Sequence, residues 1–125
     1  MVHVERYSDV IRQVLDLKET GLEGLEYIRM QIQKGKFEDT IGLFSDVVHA
    51  FASIEQSLQT LPDEKVKAML QENNAKLTSS FDLVASAYES GDRINAFETI
   101  QFSLLPAYKR WAKKLDYTLQ PFILV

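Results

Sequence analysis

The chain has 125 residues, of which 46% are hydrophobic and 26% charged, with a formal net charge of -4 and no cysteine. A chain of this size buries roughly two thirds of its unfolded surface in one domain, and the missing cysteines exclude disulfide frameworks, thiolate zinc sites, redox motifs and thiol nucleophiles. The negative balance opposes nonspecific attraction to nucleic acid or to an anionic membrane surface.

The first residues carry Glu5, Arg6 and Asp9 among apolar neighbours, unlike the uninterrupted apolar run of a secretory signal. No stretch reaches the ~18 apolar residues of a membrane span. The expectation is a cytoplasmic protein without a membrane partner. Val4, Tyr7, Ile11, Val14, Leu25, Ile28 and Ile32 recur at steps of three and four or their sums, the mark of an amphipathic helix. Lys18 and Gly21 interrupt that stripe, and Gly21 and Gly24 weaken a helix interior by about 1 kcal/mol each relative to Ala. The spacing still predicts one long, imperfect helix ending at Gly35, which suits the left-handed position past a helix C-terminus.

A second stripe, Phe37, Ile41, Phe44, Val48, Phe51, Ile54 and Leu58, predicts a helix stopping near Thr60. Thr60-Leu61-Pro62-Asp63 then has the form of a helix start, with a hydroxyl for orphan amides, a first-turn proline and a carboxylate suited to the helix dipole. The third stripe is Val66, Leu70, Leu77, Phe81, Val84 and Tyr88; Asn73 and Ser80 fall where the register predicts burial, and Gly91 ends the helix. From about Asp92 a fourth helix carries Phe97, Ile100, Leu104, Tyr108, Trp111 and Leu115, and Pro121 is expected to block its continuation. Pro106 removes the amide that would bond to the Phe102 carbonyl, so a kink is predicted one turn earlier.

A shift of 56 residues puts Gly35 on Gly91 and aligns Val10 with Val66, Leu25 with Phe81, Ile28 with Val84 and Phe44 with Ile100. The chain therefore reads as one domain of two helical hairpins, about 4–59 and 61–119, followed by an apolar tail, 121–125. Two such hairpins make an all-α, up-down-up-down four-helix bundle with its fourth helix kinked near Pro106.

Few residues suggest chemistry. His49 borders the apolar face of the second helix and gives one sharp alternative, a histidine phosphotransfer domain, although no lysine and glycine follow it as that chemistry wants. A carboxylate-bridged metal pair needs Glu-x-x-His on two helices plus two further glutamates; here Asp46-x-x-His49 approaches that form once, so no metal or other cofactor is expected. Glu19, Glu23 and Glu26 share one helix face and read as a solvated acidic stripe. No phosphate loop or nucleophile elbow is present, and the chain reads as a non-enzyme. Lys109, Arg110, Lys113 and Lys114 face Asp116 alone in residues 104–125. That local positive balance suits the last turns of a helix and is too small for nucleic-acid binding.

The tail is the strongest hint. Phe122, Ile123 and Leu124 follow Pro121 where most chains turn polar. They either fold back over a groove between helices or dock on another chain, as a partner-binding segment or in a homodimer.

The stretches Gly24-Leu25-Glu26-Tyr27-Ile28, Ala50-Phe51-Ala52-Ser53-Ile54-Glu55-Gln56-Ser57-Leu58 and Leu104-Leu105-Pro106-Ala107-Tyr108-Lys109-Arg110-Trp111 resemble a small family of uncharacterised helical proteins from Bacillus-type bacteria. The resemblance implies a cytoplasmic bacterial protein with a helical bundle and carries over no catalytic residue. In size, acidity and helical hairpins the chain is also similar to flagellar export chaperones, which hold a subunit's terminal helix. The expected role is thus an adaptor or chaperone binding another protein.

Overall fold

The computed structural model describes residues 2–72 and 74–123, with side-chain environments for 7–72 and 75–122. All regular structure in these residues is helical: α1 (Val2–Gln33), a 3-10 turn (Glu38–Thr40), α2 (Ile41–Gln59), α3 (Glu64–Glu72), α4 (Asn74–Ser90), α5 (Arg93–Thr99), a π segment (Ile100–Leu104) and α6 (Leu105–Ile123). α1 packs against α2 and α6, α2 against α3, and α4 against α5 and the π segment.

The buried face of α1 is a strict alternation of three and four: Ile11, Val14, Lys18, Gly21, Leu25, Ile28 and Ile32. Lys18 and Gly21 therefore do not interrupt the seam; they belong to it. This spacing keeps one face against a partner helix. The second seam runs Phe37, Thr40, Phe44, Val47, Phe51, Ile54, Leu58 and Leu61 on the same alternation. Here two expectations are corrected, since Ile41 is exposed and Val48 half-buried, while Thr40 and Val47 hold the core positions. Thr40 is tolerated inside because its hydroxyl donates to the Phe37 carbonyl at 2.6 Å and meets the Tyr88 hydroxyl at 2.6 Å.

Both glycine turns close the same way. Gly35 has φ +86 and Gly91 φ +70. Lys36 N donates to Gln31 O at 2.9 Å, and Asp92 N to Ala87 O at 2.8 Å; Gly35 N and Gly91 N donate to Ile32 O and Tyr88 O. These paired bonds satisfy the last helix carbonyls and require a left-handed residue, which glycine adopts without a Cβ penalty. Asp92 then caps α5 by accepting from Asn95 N at 3.0 Å.

The start of α3 differs from expectation. Thr60 bonds back to the Ser57 carbonyl at 2.6 Å, and Asp63 is the cap, accepting from Lys65 N and Val66 N at 2.9 and 3.1 Å. A carboxylate accepts from two orphan amides at once, which a hydroxyl engaged upstream cannot. Ser80 is buried as the register requires and donates to the Lys76 carbonyl at 3.0 Å. Asn73 lies outside the described residues.

At Pro106 the interruption is a π segment, in which Leu105 N donates to Ile100 O. Widening that turn removes the need for the amide that proline lacks. Pro121, by contrast, does not end α6, which continues to Ile123. A proline in the last turn forfeits a single bond, to the carbonyl of Tyr117, a residue that faces solvent.

The centre of the core is aromatic. Phe51 contacts Phe81 and Trp111 at ring separations of 5.2 and 5.0 Å, and Trp111 meets Tyr108 edge-on at 5.1 Å. At the far end Phe37 stacks on Tyr88 at 4.8 Å and 3°.

Candidate functional site

Two depressions run along the seam between α1 and the α5–π–α6 segment and share Gln101. The first, about 440 Å³, has Ile32 and Gln33 of α1 on one side and Ile94, Phe97 and Phe102 on the other, with Arg93 and Glu98 at its rim. The second, about 460 Å³, lies between Glu26 and Arg29 of α1 and Leu105, Pro106 and Lys109 of α6. Ile94 and Phe102 are 63% and 70% exposed, so two large apolar side chains stand in water beside a groove. The π segment accounts for Phe102: burial follows Ala96, Ile100 and Leu104, and Phe102 lies on the other face of that widened turn.

Sequence reading missed this pair. Ile94 and Phe102 fit no buried stripe, and large apolar residues left off a stripe were the available signal.

Farther along the contact between α1 and α6, the two helices meet through polar groups. The Tyr108 hydroxyl donates to the Lys18 carbonyl at 2.8 Å, and a Cβ on Gly21 would overlap that hydroxyl. The Lys18 side chain is 5% exposed and bridges Asp116 and Glu19, the latter at 2.9 Å. Burial alone pulls the ammonium's pKa down, but the hydrogen bonds and charges of Asp116 and Glu19 outweigh it and hold it above the ordinary lysine value. Burial, with the charge of Glu19 beside it, pushes the Tyr108 phenol far up. These groups are occupied with one another and join two helices.

The other sequence candidates are dispersed. His49 lies exposed on α2, one turn after exposed Asp46. Among the described residues no group of three or more His, Cys, Asp or Glu is placed to hold a metal ion. Phe122 is half-buried against the core within α6; the side chain of Ile123, and all of Leu124, lie outside the described residues. No helix among the described residues is long and apolar enough to cross a membrane.

A family model, Domain of unknown function (DUF8042), matches residues 9–114. The chain belongs to the DUF8042 family. The matched span holds both glycine turns, His49, the exposed Ile94 and Phe102, and the π segment; Asp116 and the residues of the apolar tail lie beyond it. Comparison of this DUF8042 chain with curated proteins and with solved structures gives no match.

Proposed function

We propose that this DUF8042 chain is a non-enzymatic protein-interaction module of the bacterial cytoplasm, taking a partner's amphipathic helix in the groove between α1 and α5–π–α6. The observation that carries the reading is the pair Ile94 and Phe102, both mostly exposed on the wall of a groove that Phe97 shares and that Ile32 of α1 faces. Large apolar side chains clustered in water beside a concave surface mark interaction sites more often than chance. Partner helices enter such grooves through anchors at i, i+3 or i+4, and i+7.

In this reading the elements make an up-down-up-down four-helix bundle, with α3 and α4 as its third rod and α5 through α6 as its fourth. The packing of α1 on both α2 and α6, and the Phe44–Phe81 and Phe51–Phe81 ring pairs between α2 and α4, support that closed arrangement. A role like that of flagellar export chaperones, to which size, acidity and helical hairpins liken the chain, would use the same groove. Phe122 packs on its own core, which favours the tail covering its own bundle over Phe122, Ile123 and Leu124 docking on a second copy.

A photo-crosslinking side chain in place of Phe102 tests this in cells. An adduct through an amphipathic helix of another protein, absent with the crosslinker at Asp46 and lost with Ile94→Asp, is the expected result. Equal adducts from positions 46 and 102, or none at 102, overturn it.

One observation favours phosphotransfer through His49, namely its exposed place on a helix face. Incubation with phosphoramidate then yields an acid-labile phosphoryl label lost in His49→Gln. An unlabelled wild-type chain removes that reading.

A further inference from the structure

A third depression, about 310 Å³, lies between α4 and α6, away from α1. Its apolar wall is made by Leu77, Ala107 and Trp111, which are buried, and its rim carries Lys76, Arg110 and Lys114. Lys114 pairs with Glu72 at 2.7 Å. Among the described residues Lys76 and Arg110 have no carboxylate partner within ion-pair distance. The cleft mouth is therefore cationic in a chain whose net charge is -4. Trp111 contributes one more feature. Its indole Nε1 is the buried side-chain donor that finds no acceptor among the described residues, an omission that buried polar groups seldom show.

We propose that this cleft binds a small amphipathic organic anion: a flat apolar body bearing one carboxylate, sulfonate or phosphate. The volume is at the lower end of small-molecule sites, which combine an apolar lining with a few placed polar groups. An inorganic anion would leave unfilled the space beside Leu77, Ala107 and Trp111, and a neutral apolar molecule would leave Lys76 and Arg110 unused. A molecule with both parts satisfies both, its anionic group held at the rim by Lys76 and Arg110 and its body against the Trp111 ring. The site is independent of the helix-binding groove, because α1, Ile94 and Phe102 contribute nothing to it.

The chain has one tryptophan, so Trp111 fluorescence reports on this cleft. The probe is 8-anilinonaphthalene-1-sulfonate, with the uncharged N-phenyl-1-naphthylamine as control. Saturable binding of one sulfonate that quenches Trp111 is expected. It should weaken about tenfold in Lys76→Gln/Arg110→Gln, the loss of charge-assisted contacts, and weaken with added salt. The neutral control should bind at least about tenfold more weakly. Lys76 and Arg110 are exposed, so the double variant should retain its circular dichroism and thermal transition. Phe102→Ser leaves binding unchanged if this cleft is the site. Equal affinity for the uncharged probe, indifference to the rim substitutions, loss of binding in Phe102→Ser, or binding without Trp111 quenching each overturns the proposal.

Discussion

The Tyr108 hydroxyl occupies the space that a side chain at Gly21 would need, and from there it donates to the carbonyl of Lys18 at 2.8 Å. Glycine is thus the seat for a phenol between α1 and α6. Gly21→Ala gains helix propensity of about 1 kcal/mol but overpacks the site, which ordinarily costs about 1–3 kcal/mol. A net loss of up to about 2 kcal/mol follows in urea denaturation. Much of it should return in Gly21→Ala/Tyr108→Phe, where the overlapping oxygen is gone; the double-mutant cycle measures that coupling. Strictly additive losses would refute the seat.

Lys18 makes stability depend on alkaline pH. Its folded pKa is raised above the ordinary value of 10.5, so its contribution is complete below that value and fades as pH rises through the folded pKa. The phenols of half-buried Tyr88 and buried Tyr108, also raised, act in the same direction above their ordinary range. The difference between wild type and Lys18→Met isolates the lysine: the wild type should lose more stability between pH 9 and 12. At pH 7 Lys18→Met should change stability by no more than about 1 kcal/mol, since apolar replacement of a buried ion pair is often neutral. Asp116→Ala should cost about 1–2 kcal/mol, below the value for a fully buried pair because Asp116 is half exposed.

Gly35 and Gly91 offer a test free of packing effects, because a Cβ at either meets nothing within 4 Å. Each Gly→Ala substitution should cost about 1–2 kcal/mol through the left-handed backbone alone, with Gly→Asn costing less. The two losses should be similar and should add. Thermal unfolding of both single variants and the double variant checks this.

Phe51 and Phe102 separate stability from surface. Phe51→Ala removes a ring held between Phe81 and Trp111 and should cost about 3–5 kcal/mol. Phe102→Ser should stay within about 0.5 kcal/mol of wild type, because the ring is 70% exposed. A large stability loss at Phe102 would place the ring in the core and remove the groove it borders.

Apolar periodicity made the helices legible, together with their ends at Gly35 and Gly91 and most core positions. It failed where a polar residue takes a core place by finding its own partners. Lys18 counts as a break on any hydropathy scale, yet its stem packs inside while its amine meets two carboxylates, one of them 98 positions away. Apolar spacing selects Ile41 over Thr40 for the same reason, the partner of Thr40 being Tyr88 on a distant helix. Pro121 misled because a helix-breaking rule written for interiors loses its force in a final turn. The groove-side pair Ile94 and Phe102 was legible only as residues that no stripe claimed.

The π segment has a consequence for how the last third of the chain tolerates change in length. Each residue turns an α-helix by 100°, and buried positions along this stretch, Ala96 before the turn, Ile100 and Leu104 within it and Tyr108, Trp111 and Leu115 after it, face one core. Deleting one residue between Ile100 and Leu104 would restore an unbroken α-helix and leave the Tyr108–Trp111 face in place, because the widened turn spends one residue more on about the same rotation; deleting one between Leu105 and Ala107, with the π segment kept, would swing that face about a quarter turn away from Phe51 and Gly21. The widened turn works as a phase correction, and the aromatic contacts of α6 depend on the count of residues before it as much as on their identity.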